Sequence, residues 1–542
     1  MTNFGNVLRD LLDNSAGNVQ LVFPDEGIET SLGSLWDAGR SLASWNMATG
    51  PGLIAMLLTN RSPSVTCLLG AIRGGISVVS LPLPTRGSGL DWFQRFVCRV
   101  CARLGCQRLL VDSTLLPLLP AMSGIRVFSF EEVLAWQPHD SEEQRPFRLV
   151  QFTSGSTADP KGVDLDDARI CSNISAILQR LQPESGDGFC SWLPISHDLG
   201  LIGAMLSTMV AGGQPWTSGT QLILLRPETF LRRPAIWMQA CSHYAATTTA
   251  SPNFGFEIAL RRMPSMPPDL SNLRICITGG EPVRANVLEK FGEALASAGF
   301  SSLVFCPGYG MAEAALAVSM TAPDEHVRSI SVKADDAFSD ATRSKDLVLV
   351  SAGSPLRGYT VESLGPGIGE LVVSGPSLIE NYSDGTAALD ADGRFHTHDL
   401  GLVQDGHVYV LGRTDDMIIV AGRNIYACDI DDAVGSVQGV RIGRSVAIRD
   451  ADGSLIVAAE VDGPHDGDSI ETLTRDIRQA VNERVGITPQ RVHLLHRDSL
   501  PPTSSGKIRR AAAHLAVNQG SLNEALESRE RRAESGGVVE KT

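Results

Sequence analysis

Lysine is scarce in this sequence, because only six of the 46 basic residues are lysines and the rest are arginines. The six lysines are Lys161, Lys290, Lys333, Lys345, Lys507 and Lys541. In such a background a retained lysine indicates a position that needs a compact point charge. Lys161 and Lys507 lie in segments rich in Gly, Ser, Thr and Pro, which predict loops. These two lysines are therefore candidates for a functional role.

Positive charge is also in deficit. The formal net charge is -15, from 61 acidic and 46 basic residues. A general nucleic-acid-binding protein needs a basic face for the phosphate backbone. We therefore expect no nucleic-acid partner, although a local basic patch could bind a phosphorylated small molecule.

The sequence lacks an apolar run long enough to span a bilayer. The best candidate, residues 65–83, is interrupted by Arg73 and by three glycines. The first residues, MTNFGNVLRDLLDN, lack the basic start and the apolar stretch of a signal peptide. We therefore expect a cytoplasmic protein without integral membrane association.

Paired cysteines are not expected either. Ten cysteines in a long chain without a signal peptide indicate reduced thiols and not a disulfide framework. Cys98, Cys101 and Cys106 form the only cluster, and a metal or iron–sulfur site would need a fourth ligand nearby. The sequence offers none, which favours one helix that carries three small apolar side chains.

The chain has 542 residues, of which 43% are hydrophobic and 20% charged, as in globular proteins with two or more domains. Over the first four hundred residues, β-rich runs alternate with amphipathic helical patterns, which predicts α/β layers on largely parallel sheets. The segments LRICITGG, SLVFCPGYG and LVLVSAG predict strands that end in glycine. Such strand ends are where α/β folds place ligands.

The pattern changes near GRTDD, residues 412–416. The hundred or so residues that follow predict a small α+β domain, which is within the usual domain range. The last residues are rich in Glu, Arg, Ser and Gly, as in a frayed helix or a disordered tail. We therefore predict a large multi-sheet domain over residues 1–413, a small domain over 414–519 and a charged tail over 520–542.

The strongest local motif is FTSGSTADPKGV, residues 152–163, which follows the apolar strand FRLVQ. Its glycines and hydroxyl residues leave backbone N–H and side-chain O–H groups free to bind phosphate oxygens, and Lys161 could add a cation. The spacing does not fit the P-loop pattern. Taken alone, the segment could also be an ordinary polar turn.

This segment resembles the phosphate loop of the adenylate-forming superfamily, which includes acyl-CoA synthetases, luciferases and nonribosomal adenylation domains. The segments SWLPISHDLGLIGAM, SPNFGFEIALRR, DLSNLRICITGGEPV, CPGYGMAEAALAVS and GRNIYACDID follow in the same order and most resemble the fatty acyl-AMP ligase branch. TSSGKIRR resembles the C-terminal lysine loop of the superfamily. The resemblance implies an AMP-forming ligase that activates a carboxylic acid with ATP and then transfers the acyl group to a thiol by alternation of its small domain.

The resemblance also implies a set of nucleotide-binding residues. They are Thr153, Ser154, Gly155, Ser156, Thr157, Lys161, Gly280, Glu281, Pro282, Gly308, Tyr309, Gly310, Met311, Ala312, Asp399 and Arg413. Tyr309 would stack on the adenine, Asp399 would accept hydrogen bonds from the ribose, and Arg413 would contact ribose or phosphate. Glu313, with Thr153, would hold Mg²⁺.

Three residues are implied in catalysis: Lys507, His197 and Glu313. Lys507 would offset the repulsion between the attacking carboxylate and the α-phosphate. His197 resembles a gate beside the acyl tunnel, with a structural histidine in a turn as the equal alternative. Asp415 matches the hinge of the superfamily. The implied acyl and CoA pocket residues are Met205, Phe254, Gly255, Gly422 and Arg423.

The chain departs from the superfamily at His398, where relatives usually have glycine. A side chain beside Asp399 could crowd the nucleotide, which suggests the hypothesis that adenylation is weakened. A ligase specialised for thioester formation from a preformed acyl-adenylate is therefore one alternative.

The thiol acceptor is left open between two candidates. The stretch between Glu313 and Gly353 resembles the insertion of fatty acyl-AMP ligases, which load acyl carrier proteins. Lys161 and the GGE segment instead resemble CoA ligases. We favour CoA, because Gly422 and Arg423 could border a pantetheine channel and no carrier domain is fused to the chain. The expected cofactors are ATP/AMP, Mg²⁺ and CoA, or the phosphopantetheine of a carrier protein. The expected acid is apolar, fatty or polycyclic, from bacterial lipid or secondary metabolism.

Overall fold

The computed structural model describes residues 7–84, 90–138, 145–152, 161–332, 347–365, 367–420, 423–450, 454–463, 467–501, 508 and 510–518. In chain order the strands of this part are β1 Val19–Phe23, β2 Ile28–Ser31, β3 Ile54–Met56, β4 Val78–Ser80, β5 Arg108–Val111, β6 Arg126–Ser129, β7 Arg148–Phe152, β8 Gly162–Asp166, β9 Gly188–Ser191, β10 Thr220–Leu224, β11 Thr248–Ala250, β12 Ile275–Thr278, β13 Phe305–Gly310, β14 Ala317–Met320, β15 Ser329–Val332, β16 Leu347–Val350, β17 Ser354–Pro355, β18 Thr360–Ser363, β19 Gly369–Ser374, β20 Phe395–Gln404, β21 His407–Arg413, β22 Met417–Val420, β23 Arg423–Tyr426, β24 Val440–Arg449, β25 Leu455–Val461 and β26 Arg491–Leu495.

The helices of the same part are α1 Val7–Ser15, α2 Leu32–Ala38, α3 Arg40–Thr49, α4 Ser62–Arg73, α5 Leu90–Leu104, α6 Phe130–Leu134, α7 Asp167–Leu181, α8 Ser207–Ala211, α9 Pro227–Arg232, α10 Ala235–His243, α11 Asn253–Arg261, α12 Ala285–Leu295, α13 Ala427–Gly435, α14 Gly467–Val485 and α15 Arg510–Asn518. Leu199–Leu206 is a π-helical segment that leads into α8. Among these described residues, no helix combines the length and the apolar character needed to cross a membrane.

Two large sheets form the first part of the molecule. One has nine strands in the order β17-β14-β13-β12-β11-β9-β10-β1-β2, and the other has six in the order β6-β5-β3-β4-β7-β8. The inner strands from β1 to β13 in the first sheet, and from β6 to β7 in the second, run parallel. Antiparallel strands lie at the sheet edges. The predicted α/β class with largely parallel sheets is confirmed.

A four-stranded antiparallel sheet follows, in the order β18-β19-β20-β21. In this sheet Asp399 of β20 lies directly opposite Arg413 of β21. The strand ladder therefore brings two of the implied nucleotide residues side by side.

The residues beyond β21 form a compact α+β unit with its own apolar core, built from residues between 418 and 494. A β22–β23 hairpin, the sheet β24-β25-β26 and helices α13 and α14 make up most of it. The domain boundaries at 413/414 and 519/520 stay predictions, and the charged tail lies outside the described residues.

The cysteine cluster lies on and just after α5. Cys101 and Cys106 are buried in the core beside the six-stranded sheet, and Cys98 packs against the same core. These side chains pack against the apolar core as small groups, as predicted, but only Cys98 and Cys101 lie on the helix, because α5 ends at Leu104, before Cys106.

Candidate functional site

Tyr309 lies near the end of β13, the last parallel strand of the nine-stranded sheet. Its ring is 8% exposed, and its hydroxyl donates a hydrogen bond of 2.7 Å to Oδ2 of Asp399. Burial, with the nearby Asp399 charge, raises the pKa of Tyr309 well above its usual value, so the hydroxyl stays protonated and acts as a donor. The side chain therefore joins the end of β13 to strand β20.

Asp399 is held from a second direction by Arg413. Nε of Arg413 lies 3.8 Å from Oδ1 of Asp399, across the β20–β21 ladder. A carboxylate between a tyrosine hydroxyl and a guanidinium is held in a fixed orientation. Such a group is suited to accept hydrogen bonds from vicinal hydroxyls.

The turn after β12 lies beside β13 and provides an open, polar rim. Gly280 has a φ of 78°, and a Cβ built there would have no heavy atom within 4 Å. Oε1 of Glu281 is buried without a hydrogen-bond partner among the described residues. The carbonyl of Pro282 accepts a hydrogen bond of 2.9 Å from Asn253. An open glycine beside an unsatisfied carboxylate oxygen fits a ligand that donates hydrogen bonds.

Glu313 lies in the short 3₁₀ turn Ala312–Ala314 that follows β13 and Met311. The turn ends at Ala315, which has a φ of 66°, and the backbone N–H of Met311 bonds to Leu316 at 2.8 Å. A left-handed alanine costs on the order of 1–3 kcal/mol and persists only where its surroundings fix it. The turn that carries the Glu313 carboxylate is therefore a strongly constrained piece of backbone.

The Glu313 carboxylate accepts a hydrogen bond of 3.0 Å from the hydroxyl of Tyr382. Burial raises the pKa of Glu313, and the Tyr382 bond partly offsets this effect. A buried carboxylate that is destabilised in its charged form is stabilised by a cation. Its oxygen donors suit a hard divalent cation such as Mg²⁺.

Lys161 is exposed at the start of β8, with its ammonium 4.6 Å from the ring centroid of Tyr382. It is therefore close to the same tyrosine that binds Glu313. The other implied phosphate-loop residues lie outside the described residues, as does the implied catalytic lysine. These residues are Thr153, Ser154, Gly155, Ser156, Thr157 and Lys507.

His197 is half-buried in the turn before the π-helical segment. Its Nδ1 lies 2.5 Å from Oδ1 of Asp198, which also accepts a hydrogen bond of 2.7 Å from the backbone of Leu199. The imidazole is thus fixed by a local carboxylate at the start of this segment. This geometry fits both the gate and the structural histidine.

Phe254 and Gly255, at the start of α11, both contact Trp192. The Phe254 ring lies edge-on to Trp192 at 5.7 Å, and a Cβ on Gly255 would lie 2.6 Å from Cζ2 of Trp192. Trp192 also stacks on Phe230 at 4.0 Å. Met205 is completely buried in the π-helical segment. The structure therefore joins two of the implied acyl residues in one aromatic cluster.

The implied hinge and CoA-side residues are only partly described. Asp415 lies in the 3₁₀ turn Thr414–Asp416, between the large sheets and the compact unit, but its side chain is outside the described residues. Arg423 begins β23, and its side chain is also outside them, as is all of Gly422. Their implied roles stay predictions.

His398 adopts a φ of 57°, a left-handed conformation that glycine tolerates best. This backbone geometry is a physical reason why glycine suits the position. The backbone N–H of His398 donates a hydrogen bond of 3.0 Å to Glu370, and Nδ1 lies 3.5 Å from the same carboxylate oxygen. Glu370 therefore holds the irregular part of β20 that leads into Asp399. The predicted crowding of the nucleotide stays a hypothesis.

Several residues of this site were not identified by sequence reasoning. Tyr382, Glu370 and Trp192 each contact an implied functional residue across a long sequence separation. Tyr382 lies in the polar segment NYSDG, whose composition predicts only a turn. Trp192 lies inside a segment that carried the resemblance, but no spacing singled it out.

A comparison with protein families supports the resemblance to the adenylate-forming superfamily. The family model described as AMP-binding enzyme matches residues 19–383. This range includes β1 through the segment that carries Tyr382.

Two curated relatives and one solved structure are similar over most of the chain. A Caulobacter vibrioides protein provisionally named an acyl-CoA synthetase is 30% identical, over 87% of this chain and 86% of the relative. The medium-chain-fatty-acid–[acyl-carrier-protein] ligase JamA of Moorena producens is 31% identical, over 72% of this chain and 70% of the relative. A structure from a study of fatty acyl-adenylate ligases of E. coli and L. pneumophila superimposes with a TM-score of 0.85, at 26% identity, and covers 96% of this chain and 99% of that one.

Proposed function

The chain belongs to the AMP-binding enzyme family and is an AMP-forming acyl ligase, and from this premise we propose a specific reaction. It activates an apolar carboxylic acid with ATP to give the acyl-adenylate and pyrophosphate. It then transfers the acyl group to a thiol, for which CoA is the favoured acceptor. Because ATP and CoA are cytoplasmic metabolites, we also propose a cytoplasmic location.

One observation carries the proposal. Tyr309 and Glu313 are four residues apart in the chain. The hydroxyl of Tyr309 donates a hydrogen bond to Asp399, and the carboxylate of Glu313 accepts one from the hydroxyl of Tyr382. We call Tyr309, Asp399 and Arg413 the ribose side, and Lys161, Glu313 and Tyr382 the phosphate side. The two sides meet at the end of β13, which is the position expected for a ligand in an α/β fold.

The residues of the two sides suit the parts of ATP. On the ribose side, Asp399 accepts hydrogen bonds from the ribose hydroxyls, and the buried Tyr309 ring lies against the base. On the phosphate side, Lys161 adds positive charge beside the phosphates. A bound Mg²⁺ would neutralise phosphate oxygens, and Glu313 and Thr153 are the residues that would hold it.

In the proposed reaction, a carboxylate oxygen of the acid forms a bond to the α-phosphorus while the bond from that phosphorus to pyrophosphate breaks. The two anions repel each other, so positively charged groups must approach both of them. Lys507, on the small unit, is the residue that we propose for this role. No proton has to be transferred in this step, which is why a lysine without a base partner is sufficient.

The aromatic cluster of Trp192, Phe230 and Phe254 supports an apolar acid. These rings are in edge or stacked contact next to the implied acyl residue Gly255. Aromatic walls favour hydrocarbon or ring systems over charged acids. We therefore propose a fatty or polycyclic acid.

The carrier-protein alternative is supported by the similarity to JamA, a ligase of that type. The second alternative, thioester formation from a preformed adenylate, is supported by the left-handed backbone of His398 beside Asp399. In both alternatives the nucleotide and acyl sites are the same. They differ in the acceptor and in the rate of the first step.

The first step is tested by acid-dependent exchange of labelled pyrophosphate into ATP, over a library of fatty and polycyclic acids. We expect exchange with the wild type and loss of at least about a hundredfold in Glu313→Gln, because a metal-binding carboxylate is removed. The matched control is Glu293→Gln on the exposed face of α12, which should retain full exchange. Absence of exchange with every acid would contradict the proposed first step.

The acceptor is tested in one incubation with acid, ATP and Mg²⁺, with CoA, with a phosphopantetheinylated carrier protein, or with neither. AMP, adenylate and thioester are then measured. Thioester with CoA supports the favoured acceptor, and adenylate that passes only to the carrier supports the first alternative. Thioester formed only from supplied acyl-adenylate supports the second.

A further inference from the structure

The segment Ile379 to Ser383 contacts two parts of the site that are far apart in sequence. The backbone N–H of Ile379 donates to the carbonyl of Glu313 at 2.9 Å, and the N–H of Ser383 donates to the carbonyl of Gly162 at 2.8 Å. Tyr382 also forms an antiparallel β-bridge with Val163. The segment is therefore fixed by backbone bonds both to the Glu313 turn and to the start of β8.

Gly162 and Ser383 also pack closely against each other at the contact between the segment and β8. A Cβ built on Gly162 would lie only 2.2 Å from Oγ of Ser383. Glycine at this position lets the strand that follows the phosphate loop approach the segment without a gap. The separation between the two backbones is thus set by packing as well as by hydrogen bonds.

The Tyr382 side chain also connects these two parts of the site, because its hydroxyl contacts Glu313 and its ring contacts Lys161. Its hydroxyl donates to Oε1 of Glu313 at 3.0 Å, and its ring face lies 4.6 Å from the ammonium of Lys161. A hydrogen bond to a carboxylate and a cation over a ring face are both directional. One side chain therefore constrains an anion and a cation at once.

We propose that Tyr382 is a positioning residue that sets the Glu313 carboxylate and the Lys161 ammonium in a fixed relation on the phosphate side. This inference rests on the proposed function, and it deepens that function by assigning Tyr382 a role in the response to Mg²⁺ and nucleotide. Lys161 is joined to a ring that is itself held by the Glu313 carboxylate and by the bridge to Val163. Glu313 keeps the orientation in which one oxygen faces Tyr382.

A tyrosine with only a structural role should affect stability but not the Mg²⁺ dependence. Tyr359 provides this control. Tyr359 is a buried tyrosine whose hydroxyl bonds to Ser377 and to Asn173, and Ser377 in turn donates to the carbonyl of Ala314. Tyr359 therefore supports the backbone of the Glu313 turn from the core side, whereas Tyr382 bonds to the Glu313 carboxylate itself. Tyr359→Phe removes buried hydrogen bonds of similar chemistry. It is therefore a matched control for loss of stability without loss of positioning.

The decisive variant is Tyr382→Phe, which removes the hydroxyl and keeps the ring over Lys161. We expect the Mg²⁺ concentration at half-maximal pyrophosphate exchange to rise about tenfold, because a hydrogen bond to a charged group is lost. In this variant, the rise in melting temperature caused by ATP should also need a correspondingly higher Mg²⁺ concentration than in the wild type. The melting temperature without ligands should change less than in Tyr359→Phe, which should leave the Mg²⁺ dependence unchanged.

The ring contact is tested by a double-mutant cycle between Tyr382→Leu and Lys161→Gln. If the ring positions the ammonium, Lys161→Gln should weaken ATP binding about threefold in the wild-type background and have no effect in the Tyr382→Leu background. Additive effects of the two changes would overturn this half of the proposal.

An unchanged Mg²⁺ dependence in Tyr382→Phe, in both exchange and thermal shift, would overturn the role of the hydroxyl. These outcomes are distinct from failure of the proposed function, in which the wild type itself exchanges no pyrophosphate. The thermal-shift measurement with ATP and Mg²⁺ needs no acid substrate, and it decides the role of Tyr382 in that case as well.

Discussion

The ribose side and the phosphate side of the cleft are built by different means. Tyr309, Asp399 and Arg413 all lie on strands, so the β13–β14 and β20–β21 ladders fix their backbones. On the phosphate side, Glu313 lies in a single turn and Tyr382 lies in a segment between strands. Regular ladders determine the first side, whereas isolated backbone hydrogen bonds and side-chain contacts between separate segments determine the second. We therefore expect the phosphate side to be the more sensitive to single substitutions.

The largest effect is expected from Lys507→Ala. Acid-dependent pyrophosphate exchange should fall by about a hundredfold or more, since loss of a charge that stabilises the transition state costs about 3 kcal/mol. The thioester step from a supplied acyl-adenylate should be retained, because in that step the thiol attacks the acyl carbon, AMP leaves, and no anion has to approach the α-phosphorus. Unchanged exchange would refute the role of this lysine, and the positive charge required at the α-phosphate would then have to come from the phosphate side.

A smaller effect is expected on the ribose side from Tyr309→Phe. The variant keeps the ring and removes only the donor to Asp399, so the apparent KM for ATP should rise about tenfold. The KM for the acid should stay the same, because the acid does not contact this pair. Steady-state exchange kinetics over both substrates measure the two values. A loss of exchange equal to that of Glu313→Gln would show that the two sides are equally sensitive.

His398→Gly tests whether the ribose side has been weakened in this chain. Glycine adopts the φ of 57° without strain, and if the His398 side chain crowds the nucleotide, its removal should raise pyrophosphate exchange roughly threefold. The exchange rate at saturating ATP and the KM for ATP measure this effect. No gain in the exchange rate would count against the hypothesis that His398 crowds the nucleotide. The contact with Glu370 would then only support the backbone of β20 before Asp399.

The smallest effect is expected outside the cleft, at the contact between the large part and the compact unit. Asp432 on α13 lies 3.1 Å from Arg284, which also binds Glu257 at 3.0 Å. Burial raises the pKa of Asp432 from 3.8 to about 7, while Arg284 opposes this shift. The folded protein then holds a proton that the unfolded chain releases, so stability conferred by this group is lost as the pH rises from about 4 to about 7.

The measurement is the melting temperature between pH 4 and pH 8. Asp432→Asn should remove part of the decline that the wild type shows across this window, whereas Asp10→Asn on the exposed face of α1 should leave it unchanged. Parallel curves for the wild type and Asp432→Asn would contradict the shifted pKa.

Much of the fold was predictable, because its signals are local. An amphipathic pattern of the kind that predicted the helices extends over α7, and the strands that end in glycine at β12 and β13 were predicted from their apolar runs. Periodicity and glycine placement depend on neighbouring residues, and parallel sheets follow from the alternation of the two patterns.

The sequence by itself determined the α/β class, the family and the motif residues such as Tyr309 and Asp399, because these depend on residue types in a fixed order. Only the tertiary structure decided which side chains meet. Tyr382 and Glu313 are 69 positions apart, and Tyr309 and Asp399 are 90 apart, so no local pattern relates them. The left-handed conformation of His398 and Ala315 was equally hidden, because the surrounding contacts, and not the residue types, hold those backbones.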